Sequence, residues 1–475
     1  MDDYKVRSNL TLNLGIRWEH TSPMVEVKDR QSNFDPISGR FLLAGKDGAG
    51  RALYEPYYKG FEPRIGFAWT PAYFNNKLVV RAGYGITQFM EGMGANLRLP
   101  LNFPFFSEAD VTYASGAANA GTIKTGFADV IVQGRPSGQI RIWDPDLRPQ
   151  FTQQWNLTLE YQFTGSMSVS AAYVGHGATH LVTPTDYNQP VAGPAGVAPS
   201  QWAPINTRRP LFGPLPSVGQ VNGTASWGIS NYNSLQVSAR QRLAKGLEFM
   251  AAYTFSKTLT DNVGFFGVEG VAASSPFSYN QYGQRLYNYG PAAFDARNNL
   301  VFSSSYELPV GKGRKFGAAL HPVVNAIVGG WNMSSILQFR SGFPLTVTTS
   351  VDNTFQNPRG GQKPDLVGNP VPDNQGLDNW INRAAFARPS DGTFGNSPIG
   401  VIRAPGYANW DFGLGKKFDV RESRYLDFRA EFFNFTNHPS FGAPGRNFND
   451  ANTFGKITTT ISSPRILEFA LKYHF

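Results

Sequence analysis

From Leu10 onward apolar and polar residues alternate. Leu10, Leu12, Leu14, Ile16 and Trp18 fall on one side of an extended chain, and Thr11, Asn13, Gly15, Arg17 and Glu19 fall on the other. A period of two means a strand with one apolar and one polar face. The pattern returns at Ile65, Phe67 and Trp69, and at Leu78, Val80, Ala82, Tyr84 and Ile86. It is clearest at Trp155, Leu157, Leu159, Tyr161 and Phe163, whose opposite face reads Asn156, Thr158, Glu160 and Gln162. Further runs span 167–174, 235–243, 247–255, 300–308, 331–339, 410–418, 426–432 and 467–475, which makes about twelve strands in all. Each is near the ~10 residues that a tilted strand needs to cross a bilayer.

The spacing between strands adds a second regularity. Long segments at about 20–60, 90–150, 175–230, 258–296, 341–406 and 436–463 alternate with tighter connections at 71–77, near Gly165, near Lys245-Gly246, at 309–329 and at 419–423. An outer-membrane barrel has this asymmetry, because its periplasmic turns stay short while its external loops grow. Soluble domains seldom hold many structureless loops beyond about 15 residues.

The chemistry of the two faces points the same way. One face carries apolar rows, with aromatics at or near strand ends (Trp18, Trp69, Tyr84, Trp155, Tyr173, Phe255, Phe339, Trp410). The other carries Arg17, Glu160, Arg240, Glu248, Arg429 and Glu431, expected to face a lumen. In water the apolar row would need a second layer, so a soluble β-sandwich or propeller is the competing architecture. The polar faces and the aromatic positions favour the antiparallel transmembrane β-barrel.

Composition narrows the classes. Aromatics make up 14% of the 475 residues, which excludes a disordered chain, and charged residues only 16%. No window reaches the roughly 18 uninterrupted apolar residues of a spanning helix, so any membrane crossing is by strands. There is no cysteine, which removes disulfides, thiolate metal sites and cysteine nucleophiles. The net charge of +9 is spread without a dense basic run, so no nucleic-acid partner is expected. The first residues, MDDYKVRSNL, carry neither the basic nor the apolar region of a secretory signal.

The last strand, PRILEFALKYHF, alternates Leu467, Phe469, Leu471, Tyr473 and the terminal Phe475 against Glu468, Ala470, Lys472 and His474. It resembles the C-terminal signature of Gram-negative outer-membrane proteins. That resemblance implies that Phe469, Leu471, Tyr473 and Phe475 form an assembly signal read by the barrel-assembly machinery. The stretches LTLNLGIRWE (10–19), SNFDP (32–36), PRIGFAWTP (63–71), QQWNLTLEYQF (153–163), AYTFSKTLTD (252–261), YELPVGKG (306–313), RSGFPLTV (340–347) and FRAEFFNFTNHPSFGAP (428–444) resemble the barrel of Oar-like TonB-dependent receptors.

The resemblance covers nearly the whole chain. It implies uptake or export of a large ligand across the cell outer membrane, driven by the TonB complex. A plug, a TonB box and a signal peptide, usual in that family, are not recognisable. About twelve strands is also fewer than the 22 of such transporters. The expectation is therefore the C-terminal part of a receptor barrel whose sheet stays open. The alternative is a surface interaction or adhesion protein acting through its long loops.

Candidate enzymatic chemistry is sparse, and no cofactor, metal or catalytic residue is expected. His176 and His180 have an i, i+4 spacing that suits a metal only on a helix, and here they fall at the end of a strand pattern. Gly311-Lys312-Gly313-Arg314-Lys315 lacks the spacing of a P-loop and reads as a basic turn. Asp144 and Asp146, beside Trp143, have the residue types of a glycosidase pair, but Pro145 and Pro149 favour a turn. The run from Asn434 to Pro439 reads as a loop boundary. The Tyr- and Asn-rich segment 278–289 is equally suited to ligand contact or to loop packing.

Overall fold

The alternating segments pair with their neighbours in sequence. Each has one apolar and one polar face, and a short connection lets the next strand lie beside it. A computed structural model describes residues 2–90, 98–106, 140–213, 215, 218–262, 285–354, 362–421 and 424–475. Thirteen strands form a continuous meander: β1 (Asp2–Arg7), β2 (Leu10–Trp18), β3 (Phe61–Trp69), β4 (Leu78–Phe89), β5 (Gln150–Gln162), β6 (Met167–Asp186), β7 (Val221–Ala244), β8 (Leu247–Thr260), β9 (Asn298–Glu307), β10 (Trp331–Arg340), β11 (Tyr407–Arg421), β12 (Arg424–Phe433) and β13 (Ile466–His474). All twelve neighbouring pairs along this path are antiparallel. Two short strands attached off the path bring the sheet to fifteen.

The expected count of about twelve is corrected by β1, which the alternation pattern did not detect. Its sequence, DDYKVR, offers only Tyr4 and Val6 as apolar members, yet it pairs with β2 through Tyr4 opposite Leu12. Among the described residues nothing bridges β1 to β13. The sheet is open and has two free edges.

Register fixes the faces, because residues directly opposite in an antiparallel pair share a side. Leu12, Phe67, Ala82, Leu157, Tyr173, Leu235 and Phe255 form one row across seven strands. On the other side Glu248, Ser305, Ser334, Gly413, Glu431 and Glu468 form a row across six.

The short turns use backbone that bends tightly. Lys245 and Gly246 both have positive φ (53° and 82°), which closes the two-residue hairpin between β7 and β8; Asn75 and Asn76, also at positive φ, turn the chain after a short 3-10 helix (Ala72–Phe74) in the eight-residue connection between β3 and β4. The connection between β9 and β10 holds a short helix, α1 (Pro322–Val328). Among the described residues no helix is long and apolar enough to cross a membrane.

The six long connections all leave the same end of the sheet, and their described residues pack into cores of their own. Residues Ala52, Leu53 and Tyr54 from the β2–β3 connection pack with Leu99, Trp143 and Leu147 from the β4–β5 connection and with Val182 at the tip of β6. Phe34, Ile140, Ile142, Leu211 and Val221 form a second core. Leu345, Val347, Ile381, Phe386, Ile402 and Phe454 form a third, between the β10–β11 and β12–β13 connections. Strands β6 and β7 continue past the sheet into this lobe, where residues Ile140–Trp143 run parallel to β7.

Candidate functional site

Each polar-face side chain is placed by the two-residue period of its strand. Arg17, Glu160, Arg240, Glu248, Arg429 and Glu431 all lie on the face opposite the Leu157 row. The structure brings three of them together. Arg240, Glu248 and Glu431 line one groove of about 630 Å³ with Ser305, Ser334 and Asp411. Glu431 is shared with a second groove that also contains Arg429, Glu307, Arg314 and Asp427. Arg240 is shared with a third that contains Glu160, Lys77 and Arg242. The grooves thus join into one charged floor. Arg17 stands apart, near the lobe end.

Ion pairs order this floor. Arg81 meets Glu160 at 2.7 Å and Arg429 meets Asp427 at 3.0 Å. Arg17 is 2.8 Å from Glu19 and 4.0 Å from Glu62, and Arg64 approaches Glu62 at 3.6 Å. Glu62 is wholly buried and accepts the Gln88 backbone N–H at 2.7 Å. Sequence reading passed over Glu62. Its place opposite Arg17 in the β2–β3 register is the signal that reveals it. The exposed pairs are each worth about 0.2–1 kcal/mol, so they organise the surface more than they hold the fold.

The lobe caps one end of this floor, and buried asparagines hold it together. Asn33 donates to the Trp143 carbonyl at 2.6 Å and accepts from the Trp143 N–H at 3.0 Å. Asn102 donates to the carbonyls of Ser32 (2.9 Å) and Arg141 (2.7 Å) and accepts from the Arg141 N–H. Each supplies a donor and an acceptor to the backbone of the short lobe strands 32–35 and 140–143, which have a strand partner on one side. Asn33 belongs to the SNFDP stretch, whose role sequence reading left open. An Arg403–Asp295 pair at 2.5 Å, with Asp295 fully buried, ties the β10–β11 connection to the β8–β9 connection. Lys363 donates to the Tyr287 carbonyl at 2.9 Å and lies 3.5 Å from the centre of its ring. Burial lowers the Lys363 pKa to about 8 and raises that of the Tyr287 hydroxyl, which donates to the Gly395 carbonyl.

The remaining candidates separate. His176 faces Gln154 and Tyr232 within the sheet, whereas His180 sits at positive φ where the β6–β7 register shifts, so the two do not converge. Among the described residues no group of three or more His, Asp or Glu side chains can hold a metal. Trp143 is buried, so it cannot stack on a sugar. Asp144 accepts the Asp146 N–H in a turn that ends at Leu147, and burial raises its pKa. Asn434 accepts the His438 N–H, closing the loop boundary expected there. Of the segment 278–289, residues 278–284 lie outside the described residues, and Tyr287 is a packing residue of the lobe. Phe469, Leu471 and Tyr473 share a face with Ala430, Phe428 and Leu426 on β12, the only strand paired with β13 among the described residues, and are 67%, 67% and 46% exposed. Phe475 stacks on Tyr473.

An open antiparallel meander, apolar on one side and charged on the other, with all long connections at one end, is the wall of a membrane barrel. The sequence matches the family described as "Outer membrane beta barrel domain" over residues 1–468, and the chain belongs to it. Its place is the outer membrane of a Gram-negative bacterium.

Among solved structures it is similar to the outer membrane transporter YddB from Escherichia coli (10% identity, TM-score 0.47, covering 98% of this chain and 43% of that one). It is also similar to the ferripyoverdine receptor of Pseudomonas aeruginosa (10%, 0.44, 100% and 37%) and the siderophore receptor PiuA from Acinetobacter baumannii (10%, 0.41, 100% and 42%). The chain spans less than half the length of each. The comparison with curated proteins returns no match.

Proposed function

We propose that the chain forms the ligand-admitting wall of an outer-membrane receptor of the Oar-like, TonB-dependent kind. In this reading the charged floor faces the lumen, with Arg17, Glu160, Arg240, Glu248, Arg429 and Glu431 on its inner surface, and the ligand is polar and too large for passive diffusion. The observation that carries the reading is the sidedness of the sheet. A continuous charged, grooved face backs onto exposed apolar rows, and a packed lobe stands over one end only. A charged row turned to lipid near the midplane would cost about 2–4 kcal/mol per Arg or Lys, so this face is the one that water and ligand reach.

The lobe is then external and the short turns periplasmic. Lipid leaves the unpaired N–H and C=O groups at β1 and β13 unsatisfied, so further strands complete the barrel, and 22 is the size this family implies. The TonB complex acts through a plug and a TonB box carried elsewhere in the receptor. The row Phe469, Leu471, Tyr473 and Phe475 meets lipid and serves the barrel-assembly machinery. Changing Tyr473 and Phe475 to Asp therefore lowers the amount of receptor in the membrane and leaves the affinity of the surviving molecules unchanged.

The test compares spent growth medium from wild-type cells, a strain lacking this gene and a strain lacking TonB. Transport predicts that the same polar solute remains in the medium of both mutants. If both deplete the medium as wild type does, and loss of the gene lowers only attachment to matrix or neighbouring cells, the adhesion reading replaces this one.

A further inference from the structure

The turn between β9 and β10 is built the wrong way round for water. In α1 the residues Val323, Val324, Ile327 and Val328 are all exposed, Ile327 to 65%, and the only residue not exposed is the polar Asn325. A helix on a water-soluble surface turns its apolar stripe inward. Here Asn325 points to the protein instead, where its side-chain oxygen accepts the Lys312 N–H at 2.6 Å. Gly311 and Gly329 allow this docking. A Cβ on Gly311 would lie 2.8 Å from that oxygen and 2.9 Å from the Gly329 Cα.

The C-terminal end of α1 rests on the apolar side of the sheet. The Ile327 carbonyl accepts from the Trp331 indole N–H at 2.9 Å and from Lys416 Nζ at 3.0 Å. Lys416 is opposite Trp331 and Phe428, hence in the same apolar row as Leu471. Its ammonium lies 5.1 Å from the Trp331 ring centre and 4.9 Å from that of Phe418, and the residue is only 3% exposed. The helix thus covers the one cation of that row on β11 and extends the apolar surface outward from it. Lys312, Arg314 and Lys315 stand exposed beside it, with Arg314 paired to Glu307 at 3.1 Å and Lys315 over the Phe316 ring.

We propose that the β9–β10 turn is an interfacial anchor for anionic phospholipid: α1 sinks its valines and Ile327 among the acyl chains while Lys312 and Lys315 hold headgroup phosphates. Continuity with the apolar face of the sheet names lipid as the occupant, and the two lysines, which form no ion pair among the described residues, name its charge. The proposal rests on the reading above that the short-turn end lies in the phospholipid leaflet.

The chain has no cysteine, so single-cysteine variants can be labelled with a polarity-sensitive fluorophore at one place. The protein, extracted from outer membranes, is reconstituted with phosphatidylcholine in which brominated phosphatidylcholine or brominated phosphatidylglycerol is included at equal mole fraction. At Ile327→Cys, or at Val324→Cys as a second site, the label emits as in an apolar medium. It is quenched several-fold more by the brominated phosphatidylglycerol, since about 1 kcal/mol from even one surface lysine corresponds to about fivefold enrichment of the anionic lipid. K312Q/K315Q removes that difference, and a label at Ser200→Cys in the lobe reports water throughout. Water-like emission at both helix sites overturns the anchor, and equal quenching by the two lipids overturns its anionic selectivity. Failure of the underlying orientation shows differently: an impermeant maleimide added to intact cells would then label Ile327→Cys and spare Ser200→Cys.

Discussion

The sheet and the lobe use apolar residues in opposite ways. In the sheet, Leu157, Leu159, Leu235, Phe255, Phe469 and Leu471 stand exposed in rows, while most of the fully buried apolar side chains (Phe34, Trp143, Leu147, Val221, Val347, Ile381) sit in the lobe or at its junction with β7. A protein that met only water would show the reverse, with its core between layers of regular structure and its loops polar. The contrast shows that two solvents shape this chain. Lipid takes over burial for the sheet, which needs no second layer. The lobe stands in water and must bury its own cores.

The largest effect that tests this contrast is expected in the lobe. Trp143→Ala removes a fully buried indole and should cost about 3–5 kcal/mol. Because the strands reach that core only through Val182 near the end of β6 and the start of β7, the change should appear as protease cleavage within 19–60 and 140–149, with the rest of the strands still protected; loss of the strands at the same protease dose would show that the two regions are one cooperative unit. Next is Leu157→Arg, which puts a charge in the apolar row at a cost of about 2–4 kcal/mol. It should reduce the amount of protein in the outer membrane, whereas an unchanged amount would mean that this row does not face lipid.

A smaller, pH-dependent effect separates the regions without mutation. Burial lowers the folded Lys363 pKa to about 8 from its ordinary 10.5 and raises that of Tyr287. Between those two lysine values the unfolded chain binds the extra proton, so lobe stability rises as pH goes from about 8 toward 10. Above pH 10 it falls again, because the unfolded tyrosine ionises while the folded one stays protonated. Hydrogen exchange of the 362–396 amides across this range checks the sign, and Lys363→Met should flatten the rise. The smallest effect belongs to the polar face: Arg81→Gln breaks an exposed pair with Glu160 and should change stability by only about 0.2–1 kcal/mol in chemical denaturation.

Legibility followed the same division. The twelve strands with clear alternation are all present, because a side-chain period of two is a local property that one row of residues displays. β1 escaped because its six residues carry only two apolar side chains and it is recognised as a strand by its pairing with β2. The alternation of long and short connections was also visible, being a matter of counting. The cores inside the long connections were not, since Phe34 meets Ile140 and Val221 through contacts more than a hundred residues apart that no local period encodes. Glu62 and Lys416 were missed for a related reason. The first is read only through its partners Arg17 and Arg64, and the second only through the helix that covers it.

The amino-acid order alone decided that there would be strands, which side of each would be apolar, and where the chain would turn, because each follows from the chemistry of residues within a few positions. Tertiary structure decided which charges meet in a groove, how asparagines close the lobe, and that a helix of valines lies over a lysine in the apolar row. Those depend on register summed over many strands and on distant loops meeting, and a contact of that kind has no energy until both of its halves are in place.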